Sequence, residues 1–288
     1  MPTLAETVAA ARERLVAGGI PSDEAPGDAE VLARHVLGWD LTRYVLSRIE
    51  EPPRAFSSRY DAVIARRLAR EPVSQIVGVR EFWGLEFEVT RDVLTPRPET
   101  ELIVEESLAA FPRRPRGMAI VDVGTGSGCL AVALAKEFPE ADVIATDISE
   151  AALAVGQRNA RKHGVHNRIA FIHCDLLPSR QAVDLIVSNP PYIPRRDAPS
   201  LAPEVRDFEP DVALFADEDG LQFYRRLFEE AARNQLRPGG RLIVELGYDQ
   251  RGRVADLAAR HGWRVLKVRD DLQGIPRTMV LAGARTDG

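Results

Sequence analysis

The sequence predicts an α/β fold, a doubly wound and mostly parallel sheet, preceded by a small helical domain. Three observations carry this. From Met118 onward apolar strand runs alternate with amphipathic helix patterns, the signature of a sheet covered by helices on both faces. The first 80 residues show helical periodicity only. A glycine-rich turn, "VDVGTGSG", joins the first strand of the alternating region to its helix, as in nucleotide-binding βα units.

The elements follow in order. Leu4, Val8, Ala11 and Leu15 share one helical face, and "GGIPSDEAP" then breaks the pattern. "DAEVLARHVLGW" places Ala29, Leu32, Val36 and Leu37 on one stripe and stops near Gly38. "SSRYDAVIARRLAREP" offers serine caps and ends at Pro72. In "EFWGLEFEVTRDVLTPRPETE", Phe82, Phe87 and Val89 keep a strand register around a turn at Gly84, and a helix runs from about Glu99 to Ala110. Strands then fall at "AIVDVG", "DVIATD", "IAFIHCD", "VDLIVSN", "RLIVELG", "WRVLKV" and "RTMVLAG". Helices fall at "CLAVALAKEF", "SEAALAVGQRNARKHG" with Ser149 as cap, "LQFYRRLFEEAARNQL" and "QRGRVADLAARHG", and "RPGG" reads as a turn. Residues 193–220 form the longest connection without periodicity, which marks a functional loop. The boundaries expected are a helical domain over 1–80, a hairpin or linker over 81–98, and a larger domain over 99–288.

Composition narrows the classes. The net charge of −5 argues against a nucleic-acid coat. Lys136, Lys162 and Lys267 are the only lysines among 38 basic residues, a bias that carries no phosphate-binding inference. The two cysteines, Cys129 and Cys174, lack any ligand spacing, so neither a disulfide scaffold nor a structural metal is expected. The N-terminus is not a signal peptide and no apolar run is long enough for a bilayer. These features predict a cytoplasmic protein without membrane contact.

Gly124, Gly126 and Gly128 let the backbone turn tightly and approach a ligand. Asp147 ends the next strand, where an acid binds ribose hydroxyls. The spacing is G-x-G-x-G, with Cys129 where a dinucleotide fingerprint has glycine, and no Walker lysine follows. Asp122, just before the turn, repels phosphate but suits a sulfonium or ammonium group, and Asp175 can accept from an adenine amino group. S-adenosylmethionine satisfies these strand-end acids better than a nicotinamide dinucleotide does. The candidate cofactor-binding set read from these residues is Asp122, Gly124, Thr125, Gly126, Ser127, Gly128, Asp147, Asp175 and, in the turn after the fourth strand, Asn189.

The fourth strand ends in "NPPYIP". Two prolines cannot continue a sheet and hold the turn stiff. Methyl transfer to an amide or exocyclic amino nitrogen must redirect a lone pair that is delocalised into a π system. Two acceptors gripping the two N–H groups do this, and the Asn189 side-chain carbonyl and Pro190 backbone carbonyl supply them. Pro191 stiffens the turn and Tyr192 packs on the flat group. Asn189, Pro190 and Tyr192 are the candidate catalytic residues, and Asn189, Pro190, Pro191 and Tyr192 the candidate substrate-binding set.

"DVGTGSG" with "NPPY" resembles class I (Rossmann-like) S-adenosylmethionine-dependent methyltransferases acting on planar nitrogens, adenine-N6 nucleic-acid methyltransferases included. "GVREFWGLEFEVTRDVLTPRPETE", "EVRDFEPDVALFADEDGLQFYRRL", "ELGYDQ" and "DLQGIPR" together resemble the HemK/PrmC family, the peptide chain release factor N5-glutamine methyltransferases. The resemblance implies that the substrate is the glutamine of the Gly-Gly-Gln loop of class I release factors. In this reading the helical domain recognises the protein substrate; the net negative charge and the lack of a separate base-recognition domain oppose direct nucleic-acid binding, and a monomer is expected because no repeated apolar face is left over for a partner. Carried onto this chain, Asp175 and Leu176 border the adenine and Asn189 to Tyr192 grip the glutamine amide. The alternative is an adenine-N6 methyltransferase on nucleic acid.

Other residues read more plainly. "PRPETE" is either a Pro-led helix start with acids in its first turn or an active-site wall. Glu204, Glu209 and Asp219 are solvated or order their loop. The five histidines have no acid at catalytic spacing. Cys129 and Cys174 are small core residues, and Trp83 is a core anchor.

Overall fold

The computed structural model describes residues 2–178, 182–233 and 236–283. The chain divides into two units, Met1–Val79 with Ala202–Phe208, and Arg80–Leu201 with Glu209–Gly288.

The first unit is helical: α1 (Leu4–Ala17), α2 (Ala25–Leu37), α3 (Leu41–Ser47), α4 (Phe56–Leu68) and α5 (Val73–Val77). A capping box starts α1, with the Thr3 hydroxyl accepting from the Glu6 N–H and the Glu6 carboxylate accepting from the Thr3 N–H. Its predicted face, Leu4, Val8, Ala11 and Leu15, is buried, as are Ala29, Leu32 and Val36 of α2, while Leu37 is only partly so. Gly38 ends α2 in the left-handed region, φ 65°. Two starts differ from expectation. Pro26 in the first turn lets α2 begin at Ala25. The α4 helix begins at Phe56, so Ser57 and Ser58 lie within it and cap nothing. Phe56 is buried and stacks on Tyr60 at 4.8 Å, and this apolar pair draws the start ahead of the serines. Residues 202–208 belong here because Arg67, 3% exposed, bonds Asp28 and Glu204 at 2.7 Å each. Gln75 also donates to the Phe208 carbonyl.

The second unit opens with a hairpin, β1 (Val79–Phe82) and β2 (Leu85–Glu88). Its two turn residues, Trp83 and Gly84, both have positive φ, at 55° and 68°, which a two-residue hairpin requires. Glu101 accepts from the Trp83 N–H, and the Trp83 indole bonds Glu137, so this tryptophan anchors the core side of the hairpin. There follow α6 (Glu101–Ala110), β3 (Ala119–Val123), α7 (Cys129–Glu137), β4 (Asp142–Asp147), α8 (Glu150–Lys162), β5 (Ile169–His173) and β6 (Val183–Ser188). The unpatterned connection contains only short helices, α9 (Pro203–Arg206, in the helical unit) and α10 (Asp211–Leu214) among them. The unit ends with α11 (Gln222–Ala232), β7 (Leu236–Glu245), α12 (Arg251–Arg260), β8 (Trp263–Asp270) and β9 (Pro276–Gly283). The helix expected to reach Leu236 stops at Ala232, and Asn234 and Gln235 lie outside the described residues. "RPGG" is not a free turn but the start of β7, where the register against β6 shifts between Val183 and Leu185.

The seven strands order as β5-β4-β3-β6-β7-β9-β8. β5, β4, β3, β6 and β7 are parallel, and β9 runs antiparallel to both β7 and β8. β3 is buried at every position, as a strand covered on both faces must be. One apolar core forms around α7, and another lies between the sheet and α11 and α12. The order reverses between β3 and β6, so a crevice opens at their carboxyl ends. The glycine turn follows one of these strands and Asn189-Pro190-Pro191-Tyr192 follows the other.

Candidate active site

A cavity of about 260 Å³ lies at this switch point, lined by residues following β3, β4, β5 and β6. Gly124, Thr125, Gly126 and Ser127 form one wall. Gly124 and Gly126 have φ of 71° and 54°, and an added Cβ at either would meet no protein atom within 4 Å. The turn therefore presents bare backbone to open space. Two bonds to the Thr146 carbonyl, from the N–H groups of Gly124 and Thr125, fix it to β4.

Asp122 and Gly128 do not line the cavity; they support the turn from beneath. One Asp122 oxygen accepts from the Thr125 hydroxyl at 2.6 Å and the Ala131 N–H at 3.1 Å. The other is buried without a partner among the described residues. Burial pushes this carboxyl up to about 7. At Gly128, φ 78°, a Cβ would sit 3.0 Å from the Cα of Gly156 on α8, so this glycine lets two helices approach.

Asp147 lines the cavity and accepts from the N–H groups of Gly126 and Ser149, each at 2.9 Å. Burial raises its pKa against the opposing pull of those N–H groups. Asp175 is paired with Arg226 at 2.6 Å, and both reach the cavity. Leu176 forms part of the wall with φ 67°, unusual for a branched side chain. Its carbonyl accepts from the Thr146 hydroxyl at 2.7 Å. Cys174, expected in the core, also lines the cavity.

Asn189 and Pro191 join the lining, and the Pro190 carbonyl belongs to the peptide unit it shares with Pro191. The Asn189 Nδ2 donates to the Thr100 hydroxyl at 3.0 Å, which donates to Glu245 at 2.6 Å. The Tyr192 phenol donates to the other Glu245 oxygen at 3.2 Å, so the tyrosine anchors the turn. Its carbonyl accepts from Gln250 at 2.9 Å. Gly220 and Gly247 let the turn seat, because a Cβ would lie 2.6 Å from the Tyr192 carbonyl or 2.8 Å from its ring, respectively. Burial pushes the Glu245 carboxyl up to about 7.

"PRPETE" serves both expected purposes. Arg97 and Thr100 line the cavity, while Glu101 turns back to the hairpin. Glu209 is buried, accepting from the Thr95 N–H and from Arg97 at 2.6 Å, and Asp219 holds the Leu221 N–H. These loop acids order their loop, and Glu209 is not solvated. Among the described residues no group of three or more His, Cys, Asp or Glu is placed to hold a metal. No described helix is long and apolar enough to cross a membrane.

Sequence reasoning did not assign roles to Thr100, Gly156, Arg226, Gly247, Glu245 or Gln250. Glu245 carried the same signal as Asp122 and Asp147, an acid at the end of an apolar strand. Gly247 carried that of a glycine just past a strand, which marks close backbone approach.

The sheet order, the glycine turn and the proline-stiffened turn beside it define a class I methyltransferase domain. Residues 100–202 match the Methyltransferase small domain family, and residues 6–78 match the PrmC N-terminal domain family. A release factor glutamine methyltransferase of Cereibacter sphaeroides is 46% identical over 276 residues, covering 95% of this chain and 96% of that protein. One from Bradyrhizobium diazoefficiens is 40% identical, covering 96% and 95%. The chain therefore belongs to the release factor glutamine methyltransferase family. Among solved structures, the N-terminal domain of human METTL16 in complex with SAH aligns with a TM-score of 0.53 at 16% identity, covering 90% of this chain and 95% of that one. That likeness is one of fold.

Proposed function

We propose that this protein transfers a methyl group from S-adenosylmethionine to the side-chain amide nitrogen (N5) of the glutamine in the Gly-Gly-Gln loop of class I peptide chain release factors. The observation that carries the reading is the state of Asn189. Its Nδ2 is committed to Thr100, which leaves Oδ1 as an acceptor at the cavity wall. A primary amide substrate presents two N–H donors. Asn189 Oδ1 takes one, and the Pro190 carbonyl, in the peptide unit shared with Pro191, takes the other. With both N–H groups held in the turn, the nitrogen lone pair is directed out of the amide plane. Because the prolines and the Glu245 and Gln250 anchors hold the turn in advance, little orientation is left to arrange during reaction. No strong base is needed, since the nitrogen becomes acidic as its lone pair is used.

The residues present fit the cofactor. The turn offers bare backbone, Asp147 retains lone pairs for ribose hydroxyls, and Leu176 gives an apolar wall for adenine. Asp175, already paired with Arg226, retains acceptor capacity for the adenine amino group. Asp122 and Gly128 act through the shape of the turn. When bound, the cofactor supplies an electrophilic sulfonium methyl, and the acids around the cavity favour that cation over a polyphosphate. In this reading the helical unit recognises the protein substrate, and the enzyme works as a cytoplasmic monomer. The net charge of −5 opposes direct nucleic-acid binding.

The test is Asn189→Ala. Methyl transfer to release factor should be abolished while S-adenosylmethionine binding, followed by titration calorimetry, stays near wild type. Normal turnover by this variant would overturn the mechanism.

A further inference from the structure

We propose that Thr100 and Glu245 are positioning residues that decide which end of the Asn189 amide faces the cavity, an inference that rests on the function proposed above. An asparagine amide has nearly the same shape either way round, so its orientation is set by hydrogen bonds. The bonds here form a directed chain. An ionised carboxylate only accepts, so each hydroxyl that meets Glu245 must spend its single proton there. Thr100 does so at 2.6 Å and Tyr192 at 3.2 Å. With its proton committed, Thr100 has only lone pairs to offer Asn189, and only the NH₂ end can meet them, as observed at 3.0 Å.

Oδ1 is thereby turned to the cavity as the acceptor a glutamine amide needs. Reversed, the Asn189 NH₂ would meet the substrate's N–H groups, donor against donor. Thr100 and Glu245 are 2% and 1% exposed, so both links are buried. Three distant segments meet in this chain: Thr100 at the start of α6, Asn189 after β6 and Glu245 at the end of β7.

The test compares wild type, Thr100→Ser, Thr100→Val, Glu245→Met and the Thr100→Val/Glu245→Met double variant in steady-state methylation of release factor, with cofactor affinity measured separately. Thr100→Val and Glu245→Met should each lower kcat about ten- to a hundredfold, the effect of an unpaired buried donor, with cofactor affinity and KM little changed. Thr100→Ser, which keeps the hydroxyl, should restore turnover. The double variant should be no worse than the poorer single one, since either change breaks the same chain. Equal turnover by the Ser and Val variants, losses that multiply in the double variant, or kcat losses matched by lost cofactor binding would each overturn the proposal.

One measurement needs no variant. By NMR, an Asn189 side-chain proton in the unsubstituted protein should exchange with solvent more slowly than those of exposed amides, and exchange at the exposed rate would also overturn it. Wild-type enzyme that leaves release factor unmethylated would sink the functional reading instead, while the exchange measurement still judges the chain.

Discussion

Replacing Glu245 with Gln should make the methyltransferase unit progressively more stable than wild type as pH rises. Glu245 is 1% exposed, and burial is the largest influence on it, followed by the bonds from Thr100 and Tyr192 and the charges of Arg277 and Glu99. Its carboxyl moves from an ordinary 4.5 up to about 7. A raised pKa means that the native state keeps the proton after the unfolded chain has released it. The stabilisation is therefore complete below pH 4.5 and is lost as pH rises through 7. At about 1.4 kcal/mol per pH unit over that interval, wild type loses about 3 kcal/mol that the glutamine variant retains. Asp122 is raised in the same way, but it is present in both proteins and cancels. Urea unfolding of both at pH 4.5 and pH 8 measures the difference. A Trp39→Phe background leaves Trp83 and Trp263, both in the methyltransferase unit, as the reporters. A difference between variant and wild type that stays constant across this range would refute the reasoning.

Other outcomes follow from the same geometry. Wild-type kcat should fall as pH drops through about 7, because protonated Glu245 no longer commits the Thr100 proton; the groups acting on it include Arg277, Glu99, Tyr192, Tyr224 and Cys129. A pH-rate profile of single-turnover transfer checks this. Gly247→Ala puts a methyl 2.6 Å from the Gln250 amide oxygen and 2.8 Å from the Tyr192 ring, so it should cost about 1–3 kcal/mol of stability and slow turnover, as chemical denaturation and kinetics would show. Arg67→Ala removes the buried cation shared by Asp28 and Glu204 and leaves Glu204 only its pair with Arg70, and should destabilise the helical unit by about 3 kcal/mol, read from Trp39 fluorescence on heating in a background with Trp83 and Trp263 replaced by Phe.

The fold was legible because periodicity reports burial. β3 is buried throughout, and apolar at every position but Asp122, since helices cover both its faces, and Leu4, Val8, Ala11 and Leu15 recur because α1 has one side to bury. The start of α4 was not legible. A serine before an apolar run signals a cap, but only the packed structure shows Phe56 stacking on Tyr60. The cavity walls were readable where one short segment holds both glycines and acid, as at Gly124 to Gly128. The support of Asn189 was not, because Thr100, Glu245 and Gln250 come from segments separated by many residues and meet only through the sheet order. Tyr192 shows the same limit. Its sequence position beside the prolines made it a candidate for the substrate, but nothing in the sequence pointed to the bond its hydroxyl makes to Glu245.

The central claim is that this site methylates an amide in a protein. Labelled S-adenosylmethionine should be offered in parallel to release factor, to its loop variant with Gln replaced by Asn, and to duplex DNA, with the product peptide sequenced by mass spectrometry. Label is expected on the wild-type factor alone, placed on the side chain of the loop glutamine. Label on DNA alone, or equal label on the asparagine variant, would contradict it.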